Sequence, residues 1–257
     1  MQAGFLRTFA IQIIYMLAPW HKGKIISIKD VAPNTKLFTI EATTFEKFDF
    51  LPGQFITLDL PIHEKKNKRW RSYSIVSAPD NHNIFELLIS YFEGGAGTGF
   101  LFHELTAGSE IMFRGPQGVF TLPAKIEKNI FFICTGTGIA PFRSMLQHIY
   151  KNQIAHKEIY LIFGTRKEEN LLYADELRLL EKEINNFHYF PVFSRESPEK
   201  NNIMHGYVHA VYENILQTKK TDATFYLCGW KNMIDDAEKK IIALGYDRND
   251  IRLELYG

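Results

Sequence analysis

The sequence predicts a two-domain α+β protein, an N-terminal antiparallel β-barrel followed by an α/β domain on a five-stranded parallel sheet. Three observations carry this. Short β-like runs follow one another without intervening helices up to about residue 125. Beyond that point apolar strands alternate with segments of helical spacing. A glycine-rich turn, Gly136-Thr137-Gly138, stands where the first of those strands meets its helix. The expected limits are an extension at 1–20, the barrel at 21–125 and the α/β domain at 126–257.

In the first half the runs are 24–29, 36–42, 55–60, 71–77, 84–92 and 110–114. Alternation is clearest where Phe85, Leu87, Ile89 and Tyr91 share one face while Glu86, Leu88 and Ser90 take the other. Leu51-Pro52-Gly53-Gln54 and Gly115-Pro116-Gln117-Gly118 read as turns between strands. In the second half strands are expected near 130–134, 158–163, 188–193, 223–228 and 251–255. Ile139, Phe142, Leu146 and Ile149 line one helix face; Leu177, Leu180 and Ile184, then Met233, Ala237, Ile241 and Leu244, repeat the idea. With no repeat and no low-complexity linker, the boundary at 123–128 reads as a tight hinge.

Composition narrows the function. At 257 residues and 46% hydrophobic the chain can bury one large core or two smaller ones. A formal charge of +1 gives no global field for nucleic acid or an acidic membrane, so a charged partner must meet a local patch. Cys134 and Cys228 are too few for a disulfide scaffold or for an iron–sulfur cluster, and they fit a reduced, cytoplasmic setting. Phe5 to Trp20 is apolar apart from Arg7, Thr8, Gln12 and Pro19, but is short for a bilayer span, so integral membrane insertion is not expected. It reads as an upstream extension, with Met16 an alternative start, or a short helix packed on the body; a membrane-touching or signal-like segment is the other reading.

Strand 131–135 runs through Gly136-Thr137-Gly138-Ile139-Ala140-Pro141 into a helix. Glycines let backbone approach a ligand, free amides at a helix start attract phosphate, and Pro141 suits a first helical turn. The third glycine of the dehydrogenase fingerprint is missing, and Gly164-Thr165-Arg166 ends the next strand in place of a ribose-binding acid. His205 and His209 stand four apart, a spacing that fits one helix face, but no HExxH motif surrounds them, and no metal site is expected. No nucleophile elbow or carboxylate pair calls for hydrolysis.

Read together, the motifs are more specific. Arg71-Ser72-Tyr73-Ser74-Ile75-Val76-Ser77 resembles the R-x-Y-S-x-x-S flavin motif of the ferredoxin-NADP reductase superfamily. Gly95-Ala96-Gly97-Thr98-Gly99-Phe100-Leu101 resembles its G-x-x-S-x-x-L loop, with threonine for serine. Gly115 to Phe120 resembles its G-P-x-G-x-F turn, Gly136 to Pro141 its G-T-G-x-A-P turn, and Tyr226-Leu227-Cys228-Gly229 and Leu253-Glu254-Leu255-Tyr256 complete the series in order.

The resemblance implies FAD on the barrel and NADP(H) on the α/β domain, NADPH passing a hydride to the flavin and reduced FAD releasing single electrons to a separate carrier. Arg71 would grip the FAD pyrophosphate with Ser72, Gly97 and Thr98 beside it, Tyr73 would lie on the isoalloxazine, and Ser74 would face its reactive edge. Thr135, Gly136, Thr137, Gly138, Pro141, Cys228 and Gly229 would line the nicotinamide nucleotide, with Ser194 and Arg195 on the 2′-phosphate. Glu254 is implied in proton supply or nicotinamide positioning and Tyr256 as a cap on the flavin face, although Gly257 extends the family's aromatic terminus. An acidic ferredoxin or flavodoxin is the implied partner, with Lys65-Lys66-Asn67-Lys68-Arg69 as a basic stretch to meet it. The rivals are an NADH-preferring flavin, cytochrome or oxygenase reductase and a non-catalytic flavin sensor.

Overall fold

The computed structural model describes residues 19–196, 204–218 and 220–256, and the expectations for the segment before Pro19 lie outside them. Strands β1 (His21–Ala32), β2 (Thr35–Glu41), β3 (Phe55–Asp59), β4 (Trp70–Ser74), β5 (Ile84–Ser90) and β6 (Glu110–Gln117) form an antiparallel sheet in the order β4-β3-β6-β1-β2-β5. The two ends of that order meet. Ile75 bridges Leu87, and the Val76 amide donates to the Glu86 carbonyl at 2.9 Å, which closes the sheet into a barrel.

The alternation in β5 does two jobs. Phe85, Leu87 and Ile89 enter the barrel core, where Phe85 lies 5.0 Å from the Phe48 ring and 5.3 Å from Phe113. Leu88, expected simply on the other face, joins Val76 in the core of the second half instead. Phe120 and Ile126 of the connecting segment are buried there too, so the expected hinge is packed into apolar side chains. The glycine-rich segment, expected as a loop, forms helix α1 (Ala96–His103).

Strands β7 (Asn129–Thr135), β8 (Ile159–Thr165), β9 (Phe187–Phe193), β10 (Met204–His205), β11 (Ala223–Trp230) and β12 (Ile251–Tyr256) make a parallel sheet in the order β10-β9-β8-β7-β11-β12. Five of these were expected; the sixth, β10, is a two-residue edge strand too short to show a period. In β7, Ile130, Phe132 and Cys134 face one core while Phe131 and Ile133 face another. Helices α2 (Ile139–Asn152) and α3 (Ala174–Glu183) cover the first face, and α4 (Val208–Thr218) and α5 (Lys231–Ala243) the second. The chain leaves β7 toward β8 and returns to β11, so the order reverses between β7 and β11, where open α/β sheets hold ligands. No helix among the described residues is long and apolar enough to cross a membrane.

Candidate functional site

The first cradle forms where β4 meets α1. A Cβ on Gly97 would lie 3.0 Å from Cγ and Nε of Arg71, so only glycine lets the arginine lie flat across the first helical turn. Arg71 Nη1 donates to the carbonyls of Lys68 (3.1 Å) and Trp70 (2.8 Å), which fixes the fork there. No side chain caps the start of α1, so its first amides and the guanidinium converge as donors for an anion. This donor set fits a pyrophosphate. The Thr98 hydroxyl accepts from the Phe92 amide at 3.1 Å and donates back to the Phe92 carbonyl, bracing the turn that precedes the helix.

Tyr73 packs on the edge of the barrel core, and burial pushes its phenol up to about 12 against the opposing pull of Arg71. Ser72 does not join this face. Its exposed hydroxyl lies 3.0 Å from Thr57 Oγ1, because neighbouring residues of a strand point to opposite sides.

Ser74, one step further, is buried and donates to Glu254 Oε1 at 2.5 Å, linking the barrel to β12. Burial pushes the Glu254 carboxyl up to about 7, and the bond from Ser74 pulls the other way. The parallel register aligns Cys134, Cys228 and Glu254 across β7, β11 and β12. Both cysteines are fully buried and unbridged, and burial raises the Cys134 thiol well above the usual range, so it is no thiolate nucleophile at neutral pH.

The second cradle opens beside that row. A Cβ on Gly138 would sit 2.3 Å from the Cys228 carbonyl oxygen, and one on Gly229 (φ +142°) 2.4 Å from Thr135 Oγ1. Close approach of two strand ends therefore demands both glycines. Thr135 Oγ1 accepts from the Trp230 amide at 3.3 Å, and Gly136 to Gly138 wind into α2, whose start no side chain caps and whose first turn holds Pro141. Thr137 stands half-buried in the same turn. Amides and dipole, with no cation in the turn, point at the crevice.

Cations appear at the far rim. The Ser194 amide and hydroxyl donate to the Thr165 carbonyl (3.0 and 3.3 Å), and the Arg195 amide donates to that of Arg166 at 3.0 Å. This backbone pairing brings exposed Arg166, Lys167 and Arg195 to one edge. Two residues escaped the sequence reading: Tyr207, 72% exposed just after β10, and Trp230, 62% exposed at the end of β11. Nothing in a sequence separates a rim aromatic from a core one. His205 lies in β10 and His209 in α4, with Gly206 between them, so the two share no helix. Among the described residues no His, Cys, Asp and Glu cluster could hold a metal. In the basic stretch, Arg69 Nε is committed to Asp59 at 2.7 Å, leaving Lys65, Lys66 and Lys68 exposed. The side chain of Tyr256, and Gly257, lie outside the described residues.

Two anion cradles on a barrel and a doubly wound sheet, meeting at a serine and a carboxyl, define a two-nucleotide redox protein. Comparison agrees: an oxidoreductase FAD-binding domain matches residues 22–122 and an oxidoreductase NAD-binding domain residues 132–239. The chain is 31% identical to ferredoxin–NADP reductase B of Sorangium cellulosum over 242 residues, 91% of this chain and 97% of that one. It is 32% identical over 197 residues to an NADH-cytochrome b5 reductase 1 of Meyerozyma guilliermondii, covering 76% and 68% of the two chains. A ferredoxin NADP+ reductase from Neisseria gonorrhoeae with bound FAD and NADP superposes with a TM-score of 0.77 at 27% identity, covering 93% of this chain and 99% of that one. The chain belongs to the ferredoxin-NADP reductase superfamily. It is an NAD(P)H-dependent flavoprotein oxidoreductase that uses FAD.

Proposed function

We propose that this enzyme carries electrons between NADPH and a separate one-electron carrier of the ferredoxin or flavodoxin type, in the cytoplasm. The observation that carries the reading is the Ser74–Glu254 bond, made at 2.5 Å where the two cradles converge. FAD, when bound, supplies the step between paired and single electrons. Arg71 and the first amides of α1 hold its pyrophosphate, and Tyr73 offers it a flat apolar face. Gly136 to Gly138 and the start of α2 hold the nicotinamide nucleotide by amide dipoles.

Glu254, with its carboxyl near 7, is about half protonated at neutrality and keeps a proton within reach of the Ser74 hydroxyl. At that point Ser74 and Cys228 are buried and Glu254 is half-buried. Tyr256 is assigned the cap over the flavin, and Ser194 and Arg195, with Arg166 and Lys167, the 2′-phosphate. Tyr207 adds an aromatic face for the adenine. Lys65, Lys66 and Lys68 offer an acidic carrier a local patch.

An anaerobic titration tests this. NADPH should bleach the flavin bands at lower concentration than NADH, and the reduced protein should then reduce a ferredoxin. Equal or better bleaching by NADH would favour the cytochrome or oxygenase type of reductase. Flavin that neither nucleotide bleaches would mean a sensor.

A further inference from the structure

Ser74 and Glu254 sit in different halves of the molecule, so something must hold those halves in register to a fraction of an ångström. One side chain is built for this. Arg143, in the second turn of α2, is 12% exposed at its side chain. Its Nε donates to both carboxylate oxygens of Glu176 (3.0 and 3.1 Å) and its Nη2 to Glu176 Oε2 at 2.9 Å, a fork-on-carboxylate grip within the sheet half. Its Nη1 reaches across to the barrel, donating to the Val76 carbonyl at 3.2 Å and to Glu86 Oε2 at 3.4 Å. The guanidinium carbon lies 4.3 Å from the centre of the Tyr173 ring.

The helix reinforces the same grip further along. Ser144 Oγ donates to the Ser77 carbonyl at 2.6 Å, and Gln147 accepts from the Ala78 amide at 3.4 Å while donating to Glu176 at 2.8 Å. The chain from Ser74 to Ala78 is therefore held by the sheet half at both ends, by Glu254 at Ser74 and by α2 from Val76 onward. Arg143 is also two residues beyond Pro141, on the helix whose start forms the nucleotide cradle.

We infer that Arg143 is a positioning residue that locks α2 to the strand carrying Ser74, and so sets the approach of the nucleotide cradle to the flavin face. This rests on the assignment of Ser74 and Glu254 given above. A helix is a stiff rod, so a shift at Arg143 is passed to Gly136 to Gly138, five to seven residues back at its start. A misplacement of that size changes the transfer step far more than nucleotide affinity.

The test uses the full chain loaded with FAD, carrying Arg143→Met, Arg143→Lys or Glu86→Gln. Flavin content should hold in all three. In Arg143→Met the rate at which NADPH bleaches the flavin in anaerobic stopped flow should fall about 100-fold. The KM for NADPH should move by less than about threefold. Arg143→Lys keeps the charge without the fork and should recover part of the rate. Independently of turnover, amide exchange at residues 75–78 and 139–147 should quicken together in Arg143→Met.

An unchanged bleaching rate in Arg143→Met overturns the proposal. So does a loss that tracks lost flavin and is equal in the Met and Lys variants, which marks a plain folding role. Should Arg143→Met fail to fold, Glu86→Gln decides, since it touches the barrel-side anchor alone: slower bleaching and faster exchange support the lock, and no change in either removes it. Should neither nicotinamide bleach the wild-type flavin, the functional reading falls, while the exchange comparison still decides whether Arg143 locks the halves.

Discussion

On the proposed assignment the two cradles would meet one problem, a diphosphate at a helix start, by different means. At α1 a guanidinium is laid across Gly97, adding a full charge to the amides. At α2 the turn itself carries no cation; Gly138 and Gly229 let the strand ends close up, and charge waits at the rim on Arg166, Lys167 and Arg195. A charge-assisted contact is about twice as strong as a neutral one. On the proposed assignment, that contrast would suit a flavin that stays and a nucleotide that comes and goes, with the rim charge left to tell one nucleotide from another.

The sharpest way to break that contrast is Arg71→Ala. Loss of a charge-assisted bond to a pyrophosphate should cost up to about 3 kcal/mol, more than a hundredfold in FAD affinity. Absorbance after dialysis reads it directly, and full flavin retention would end the distinction between the cradles. Arg195→Ala comes next. Because the residue is exposed, the lower figure of about 1.5 kcal/mol applies, roughly tenfold in kcat/KM for NADPH, with NADH barely changed. The effect belongs in KM, since the phosphate is held alike before and during transfer. Equal decline with both nucleotides would remove the rim from the account.

Gly97→Ala sharpens the comparison from the other side. Its Cβ meets only the flexible stem of Arg71 at 3.0 Å, so the arginine swings aside rather than the backbone yielding. FAD affinity should drop by roughly 1 kcal/mol, about fivefold in fluorescence titration, far less than for Arg71→Ala.

The last effect concerns Glu254, between the cradles. Its folded pKa, about 7, lies above the unfolded value, so the folded protein binds the extra proton and loses stability as pH rises from about 4.5 through 7. Glu254→Gln removes that loss. The variant should gain up to about 3 kcal/mol over wild type at pH 8 and nothing at pH 4, seen as a Tm gain of up to about 10 °C at the higher pH alone. A gain equal at both pH values would mean that the carboxyl ionises normally.

What could be read beforehand follows from physical scale. Strands with several alternating residues, such as β5 and β7, are visible because burial repeats along them. β10 has only Met204 and His205 and no repeat to see, and α1 hides behind three glycines that read as a turn. The close approaches of Gly97 to Arg71 and of Gly138 to Cys228 join residues of the quoted motifs, whereas the commitment of Thr98 to Phe92 and of Arg69 to Asp59 needed three dimensions. Arg143 and Tyr207 stood in plain sequence as an ordinary helical arginine and an ordinary tyrosine; only the partners they meet distinguish them.

The bond between Ser74 and Glu254 spans 180 positions. At about 5–20 residues per second of synthesis, roughly 10–40 s separate the two side chains as they leave the ribosome. Every residue of the barrel, Arg71 included, is therefore synthesised before the carboxyl that faces Ser74, so the contact that joins the two halves is among the last the chain can make.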